Sequence, residues 1–292
     1  TDPLRADTDG DGTIDGNEDS DSDGLSDADE LNLFGTSPVI HDTDGDGLND
    51  GDEINTFKTG PFLSDTDADG LIDTDEIKIH KTDPNEMDTD ADGIHDGDEI
   101  SIHHTNPTAS DTDQDGLGDN DEVKYGTNPL EVDSNGNGIG DADEDTDEDG
   151  LNDGDEINTH HTNPNVVDSD KDGLSDGDEV IHGTQPLKAD SNGNGISDSN
   201  EDSDSDGLSD GDEFNIHHTN PRVTDTDHDG LSDGDEIALH NTNPAAADTD
   251  KDGLTDADEI HVIGTNPSDQ DTDGDGIIDG DEDSDSDGLS DT

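Results

Sequence analysis

The sequence predicts an elongated array of short repeats, made mostly of irregular loops with single-turn helices and no conventional hydrophobic core. Three observations predict it. One twelve-residue acidic phrase recurs along the whole chain at a nearly fixed step. Only 21% of the 292 residues are apolar and 2% aromatic, too few for a core of useful size. All 11 prolines fall at one place in the repeat, where each stops a helix from running on.

The phrase is Asp42-Thr43-Asp44-Gly45-Asp46-Gly47-Leu48-Asn49-Asp50-Gly51-Asp52-Glu53. Counted from Asp42, positions 1, 3 and 5 offer oxygens to a hard cation, and glycine at 6 permits a sharp turn. Position 7 can give its backbone carbonyl, 9 can bind directly or through water, and 12 can bind through both oxygens. This is the spacing of a calcium loop. Fourteen complete loops begin at Asp7, Asp19, Asp42, Asp65, Asp88, Asp111, Asp133, Asp145, Asp168, Asp190, Asp202, Asp225, Asp248 and Asp271, and a truncated one at Asp283. All 14 have Asp at 1, Gly at 6, Asp at 9 and Glu at 12.

Positions 1, 3, 5, 9 and 12 give the candidate metal ligands. The first loops supply Asp7, Asp9, Asp11, Asp15 and Glu18, then Asp19, Asp21, Asp23, Asp27 and Glu30. Next come Asp42, Asp44, Asp46, Asp50 and Glu53, then Asp65, Asp67, Asp69, Asp73 and Glu76. Asp88, Asp90, Asp92, Asp96 and Glu99 precede Asp111, Asp113, Asp115, Asp119 and Glu122. Asp133, Asn135, Asn137, Asp141 and Glu144 are followed by Asp145, Asp147, Asp149, Asp153 and Glu156. Asp168, Asp170, Asp172, Asp176 and Glu179 lead to Asp190, Asn192, Asn194, Asp198 and Glu201. Then come Asp202, Asp204, Asp206, Asp210 and Glu213, with Asp225, Asp227, Asp229, Asp233 and Glu236. Asp248, Asp250, Asp252, Asp256 and Glu259 precede Asp271, Asp273, Asp275, Asp279 and Glu282. The truncated loop adds Asp283, Asp285, Asp287 and Asp291. Asn stands at positions 3 and 5 in two loops only, offering a carbonyl oxygen without charge.

Charge makes the same point. Acidic residues number 88 against 9 basic, for a net charge of -79. Such a chain repels itself unless bound cations neutralise it. A merely solvated acidic tract has no reason to fix glycine at 6 or glutamate at 12. Calcium is therefore the expected cofactor, at least about one ion per loop. Twelve loops also carry Asp at position 11, which suggests more than one ion per long repeat.

Loops usually follow at a step of 23 residues, with steps of 22 into Asp133 and Asp190. Two loops abut directly at Glu18/Asp19, Glu144/Asp145, Glu201/Asp202 and Glu282/Asp283. After the glutamate of a long repeat comes an apolar residue such as Ile54 or Ile77, and three residues on Phe57 or His80. That pair fits one turn of helix leaving the loop. Thr-x-Pro follows, as in Thr105-Asn106-Pro107, and holds the chain extended. Four apolar side chains per long repeat cannot offset the entropy of ordering it, so folding and calcium uptake should be one equilibrium. Paired histidines such as His103-His104 recur with the repeat where Phe34 and Phe57 stand elsewhere, which favours packing and hydrogen bonding over a zinc site.

Other readings fit less well. A helix–loop–helix calcium sensor needs a helix on each side of every loop, and these spacers are short, proline-broken or absent. A cohesin-binding dockerin would hold two loops with longer helices. No unique constellation of nucleophile, base or phosphate-binding loop points to an enzyme. The sign of the charge argues against nucleic acid. No stretch is apolar enough for direct membrane insertion, and the absence of cysteine leaves neither disulfides nor thiolate sites.

Runs such as Gly126-Thr127-Asn128-Pro129-Leu130 and Asp248-Thr249-Asp250-Lys251-Asp252-Gly253-Leu254-Thr255-Asp256 resemble thrombospondin type 3 repeats. The likeness is to the cysteine-free form of bacterial surface and secreted proteins and covers essentially the whole chain. It implies a chain wrapped around calcium ions, with little regular secondary structure, serving as a stalk or matrix element. Animal members add disulfides and commonly carry Asp at position 12.

The expected function is thus a calcium-binding structural protein, an extracellular stalk or fibre stiffened by calcium for adhesion or matrix spacing. The alternative is an acidic matrix protein that sequesters calcium or templates mineral. Residues 1–292 read as one continuous tandem array, a fragment of a longer chain since both ends fall within a repeat. Neighbouring chains of the same protein in a fibre are the candidate partners beside calcium. So many sites fill only where calcium is abundant, which points outside the cell or to its surface.

Overall fold

The structure, a computed structural model, describes residue 2 and residues 4–282. The candidate ligands Asp283, Asp285, Asp287 and Asp291 lie outside the described residues. The chain divides into two units, Thr1–Glu144 and Asp145–Thr292, and the same repeat builds both. Among the described residues there are only short helices and no strands, as the sequence predicts.

The loop that opens at Asp42 shows how a long repeat forms. The acidic turn ends at Asn49, whose side chain accepts a bond from the Asp52 N–H at 2.6 Å and starts the helix Asp50–Asp52. Ser26, Asn152, Ser175, Ser209, Ser232 and Thr255 cap the corresponding turns. In these loops position 8 is a polar N-cap, and the carboxylates behind it suit the positive end of the turn. Ile72, His95 and Gly118, at the same position, make no such bond.

From Glu53 the helix widens. Residues Glu53–Phe57 form a π turn closed by the Lys58 N–H donating to the Glu53 carbonyl at 2.7 Å. The cause is one residue. In the two repeats of 22, the helices Asp119–Tyr125 and Asp176–His182 stay α throughout. They close with Gly126 N–H on Glu122 O and Gly183 N–H on Glu179 O, four residues back. The extra residue of a 23-residue repeat is absorbed as a π bulge.

Each such turn ends on a left-handed residue. Lys58, Lys81, His104, His161, His218 and Asn241 take φ between 58° and 70° there. Several repay the strain by capping: Lys58 Nζ donates to Ile54 O at 2.9 Å, and His161 Nδ1 bonds Ile157 O at the same distance. His104 and His218 bond Ile100 O and Phe214 O likewise. These contacts give the second histidine of each pair a hydrogen-bonding role.

The buried interior is thin and mostly charged. Leu25, Leu48, Ile94, Leu117, Leu174, Leu231 and Leu254, all at position 7, are buried. Beside them lie the ten glutamates of the long repeats, each 0% exposed. The four loops that abut a following loop differ. They end in tight 3-10 turns at Asp15–Asn17, Asp141–Asp143, Asp198–Asn200 and Asp279–Asp281. Their position-7 residues Ile139, Ile196 and Ile277 are about half exposed.

Candidate metal centre

Each carboxylate of the loop has one task that shapes the backbone and, in several cases, one oxygen left over. Asp42 Oδ1 accepts from Gly45 N–H at 2.7 Å and its Oδ2 from Gly47 N–H at 3.1 Å. Asp44 Oδ1 accepts from Asp46 N–H, and Asp46 Oδ1 from Leu48 N–H. These bonds fold the chain around its own acidic side chains. Gly47, at φ 100°, occupies the turn that glycine tolerates best.

The second oxygens of Asp44 and Asp46 are buried without a hydrogen-bond partner, as is Oε2 of Glu53. Oε2 is left so in all ten glutamates of the long repeats. The other glutamate oxygen is held by the threonine of Thr-x-Pro, with Thr59 Oγ1 donating to Glu53 Oε1 at 3.3 Å. The same bond occurs in every long repeat.

Position 9 goes somewhere the twelve-residue count does not foresee. Both oxygens of Asp50 are clamped within its own loop, by Thr43 N–H at 2.8 Å and Thr43 Oγ1 at 2.6 Å. The carboxylate is presented to the loop before: Asp50, Asp23 and Glu30 each bring an oxygen within 4.8 Å of the others, and all three are buried. The charge of Asp46 likewise bears on Asp73, Asp69 on Asp96, Asp149 on Asp176 and Asp206 on Asp233. Position 10 follows the same contact. Gly97 N–H donates to Asp69 Oδ2 and Gly234 N–H to Asp206 Oδ2, each from 28 residues away.

Positions 1, 3 and 5 also converge, with Asp42, Asp44 and Asp46 offering oxygens within 4.8 Å, as do Asp7, Asp9 and Asp11, and Asp65, Asp67 and Asp69. A long loop thus has two adjoining oxygen clusters: positions 1, 3 and 5, and positions 5 and 12 with position 9 of the next loop. At position 11, Asp29, Asp52, Asp98 and Asp258 are exposed.

Without a cation this arrangement is costly. Burial pushes the Glu53 carboxyl up to about 8, and the charges of Asp44 and Asp46 act in the same direction. Glu76, Glu99, Glu122, Glu156, Glu179, Glu213 and Glu236 are pushed equally far, chiefly by burial. Unpaired buried carboxylates persist only where something neutralises them. The donors are all hard oxygens, so the residues fit calcium, which would satisfy the leftover oxygens and cancel their repulsion.

The sequence of each long repeat also matches a known family. The bacterial TSP3 repeat matches at residues 19–39, 42–62, 65–86, 88–110, 111–131, 145–166, 168–189, 202–221, 225–247 and 248–270. The chain belongs to the bacterial TSP3 repeat family. TSP3 repeats are calcium-binding repeats, in keeping with the orphaned oxygens above. The TSP3 matches begin at position 1 of every long loop and leave out the four abutting loops. Among solved structures, the B domain of a biofilm associated protein is 42% identical over 15% of this chain and 11% of that chain, with a TM-score of 0.15. The BSP domain of a biofilm associated protein is 44% identical over 15% of this chain and 7% of that chain, also with a TM-score of 0.15. This TSP3 array therefore spans about a tenth or less of those chains. No curated protein matches it.

Some functional residues carry no ligand pattern and escape a search for one. Thr or Ser at position 2 clamps Asp at position 9 in all 14 complete loops, yet it reads as filler between carboxylates. Its invariance as a hydroxyl is the signal that could have found it.

Proposed function

We propose that the chain is a structural protein whose tandem loops are ordered by calcium, serving as a stalk or fibre segment outside the cell or on its surface. The observation that carries this is the buried, unpartnered Oε2 of the position-12 glutamate, repeated in ten loops. One such atom is a local cost; ten in register call for a cation at each. The ligands would be positions 1, 3, 5 and 12 of one loop and position 9 of the next. Where consecutive loops share an ion, order would pass from neighbour to neighbour, and residues 1–292 would be one tandem array.

Two adjoining clusters per long loop support more than one calcium in each. Adhesion or matrix spacing suits an element that lengthens by adding copies, and other chains of the same kind are its candidate lateral partners. Among the described residues no helix is long and apolar enough to cross a membrane. A sequestering or mineral-templating protein would hold its carboxylates open to solvent, whereas these are folded inward. Electron microscopy in calcium and in chelator tests the reading. A discrete rod in calcium that is lost in chelator is expected; mineral nucleation with no rod would overturn it. Calcium saturation at 14 ions or fewer would reject the double occupancy.

A further inference from the structure

The two loops with asparagine at positions 3 and 5 are built differently from the rest. In the Asp42 loop, Oδ1 at position 3 takes the N–H of position 5, Oδ1 at position 5 takes the N–H of position 7, and both Oδ2 atoms remain without a hydrogen-bond partner for a cation. Asparagine has one oxygen, and it accepts the same backbone bonds. Asn137 N–H donates to Asn135 Oδ1 at 3.0 Å and Ile139 N–H to Asn137 Oδ1 at 2.8 Å. Where the Asp loops place Oδ2, these loops place an NH2 group.

Those amides turn to the glutamate. Asn135 Nδ2 and Asn137 Nδ2 donate to Glu144 Oε1 at 2.6 and 2.7 Å. Asn192 Nδ2 and Asn194 Nδ2 donate to Glu201 Oε1 at 2.6 and 2.8 Å. An amide nitrogen is a donor and cannot ligate a hard cation. Next to the second loop, the Asp that follows is also satisfied by protein. Asp210, position 9 of the loop after it, is buried and accepts from Ser203 Oγ at 2.7 Å and meets His182 Nε2 at 2.9 Å.

We propose that residues 133–144 and 190–201 are latches that close without calcium, their asparagine amides standing where the ion stands in the aspartate loops. Calcium then occupies the aspartate loops only. The inference rests on the calcium reading above.

Counting bound calcium on the whole chain by native mass spectrometry tests it. Glu122→Gln, in an aspartate loop, is expected to lower the saturating count by at least one. Glu144→Gln and Glu201→Gln are expected to leave it unchanged, and Asn135→Asp with Asn137→Asp to raise it by at least one. A Glu144→Gln chain that loses an ion, or a double Asp variant that gains none, overturns the latch. An unaltered chain that takes up no calcium overturns the calcium reading instead.

Discussion

Single atoms decide much of this molecule. Thr59 Oγ1 fixes one oxygen of Glu53 and so aims the other. Thr59→Val removes that bond, which is expected to cost about 1 kcal/mol and to weaken calcium binding at that loop; calorimetric titration of the variant checks it. Gly51 answers a different demand. A Cβ there would lie 2.2 Å from the carbonyl oxygen of Asp23 in the preceding loop. Gly51→Ala should therefore lower stability in calcium by about 1–3 kcal/mol, seen as a reduced melting temperature.

The glutamates also set a pH response. The folded values of Glu53, Glu76 and their six counterparts, near 8, lie above the ordinary 4.5, so the metal-free fold favours the protonated form and loses stability as pH rises through that interval. Calcium requires the deprotonated form. Uptake should release protons at pH 7, and apparent affinity should rise from about pH 6 to 8. A pH-stat titration that detects no proton release would contradict this.

At the scale of the element, repeat length chooses the helix. Deleting Phe57 and replacing Lys58 by Gly would give this repeat the 22-residue form of Asp119–Tyr125, with glycine on the left-handed residue. The variant is expected to keep its calcium count, because Glu53 starts the turn and Thr59 still reaches it; native mass spectrometry gives the count. The Thr-x-Pro strut explains why spacing must stay tight. Its threonine holds the glutamate behind, while the next N–H donates to the hydroxyl at position 2 ahead, as Gly60 does to Thr66 Oγ1 at 3.0 Å. Loops and struts were legible because each repeats a distinctive residue at a fixed offset. The π turn was not, since one inserted residue leaves the apolar pair Ile54 and Phe57 in place. Nor was the destination of position 9, because a contact between Asp50 and Asp23 spans two loops and leaves no mark within either. The split of fourteen alike motifs into buried and half-open kinds came from their neighbours, as at Glu144, where the next loop starts at once.

The molecule as a whole has few apolar contacts and many buried negative charges, so its order depends on what neutralises them. Removing calcium should uncouple the aspartate loops together, since each site borrows position 9 from the next. Amide hydrogen exchange on the intact chain, in calcium and after exhaustive EDTA dialysis, addresses this most directly. Protection of the N–H groups at positions 5 and 7 of the aspartate loops in calcium, and its loss in EDTA, is the predicted result. Equal protection of those groups in both states would contradict a fold built on calcium.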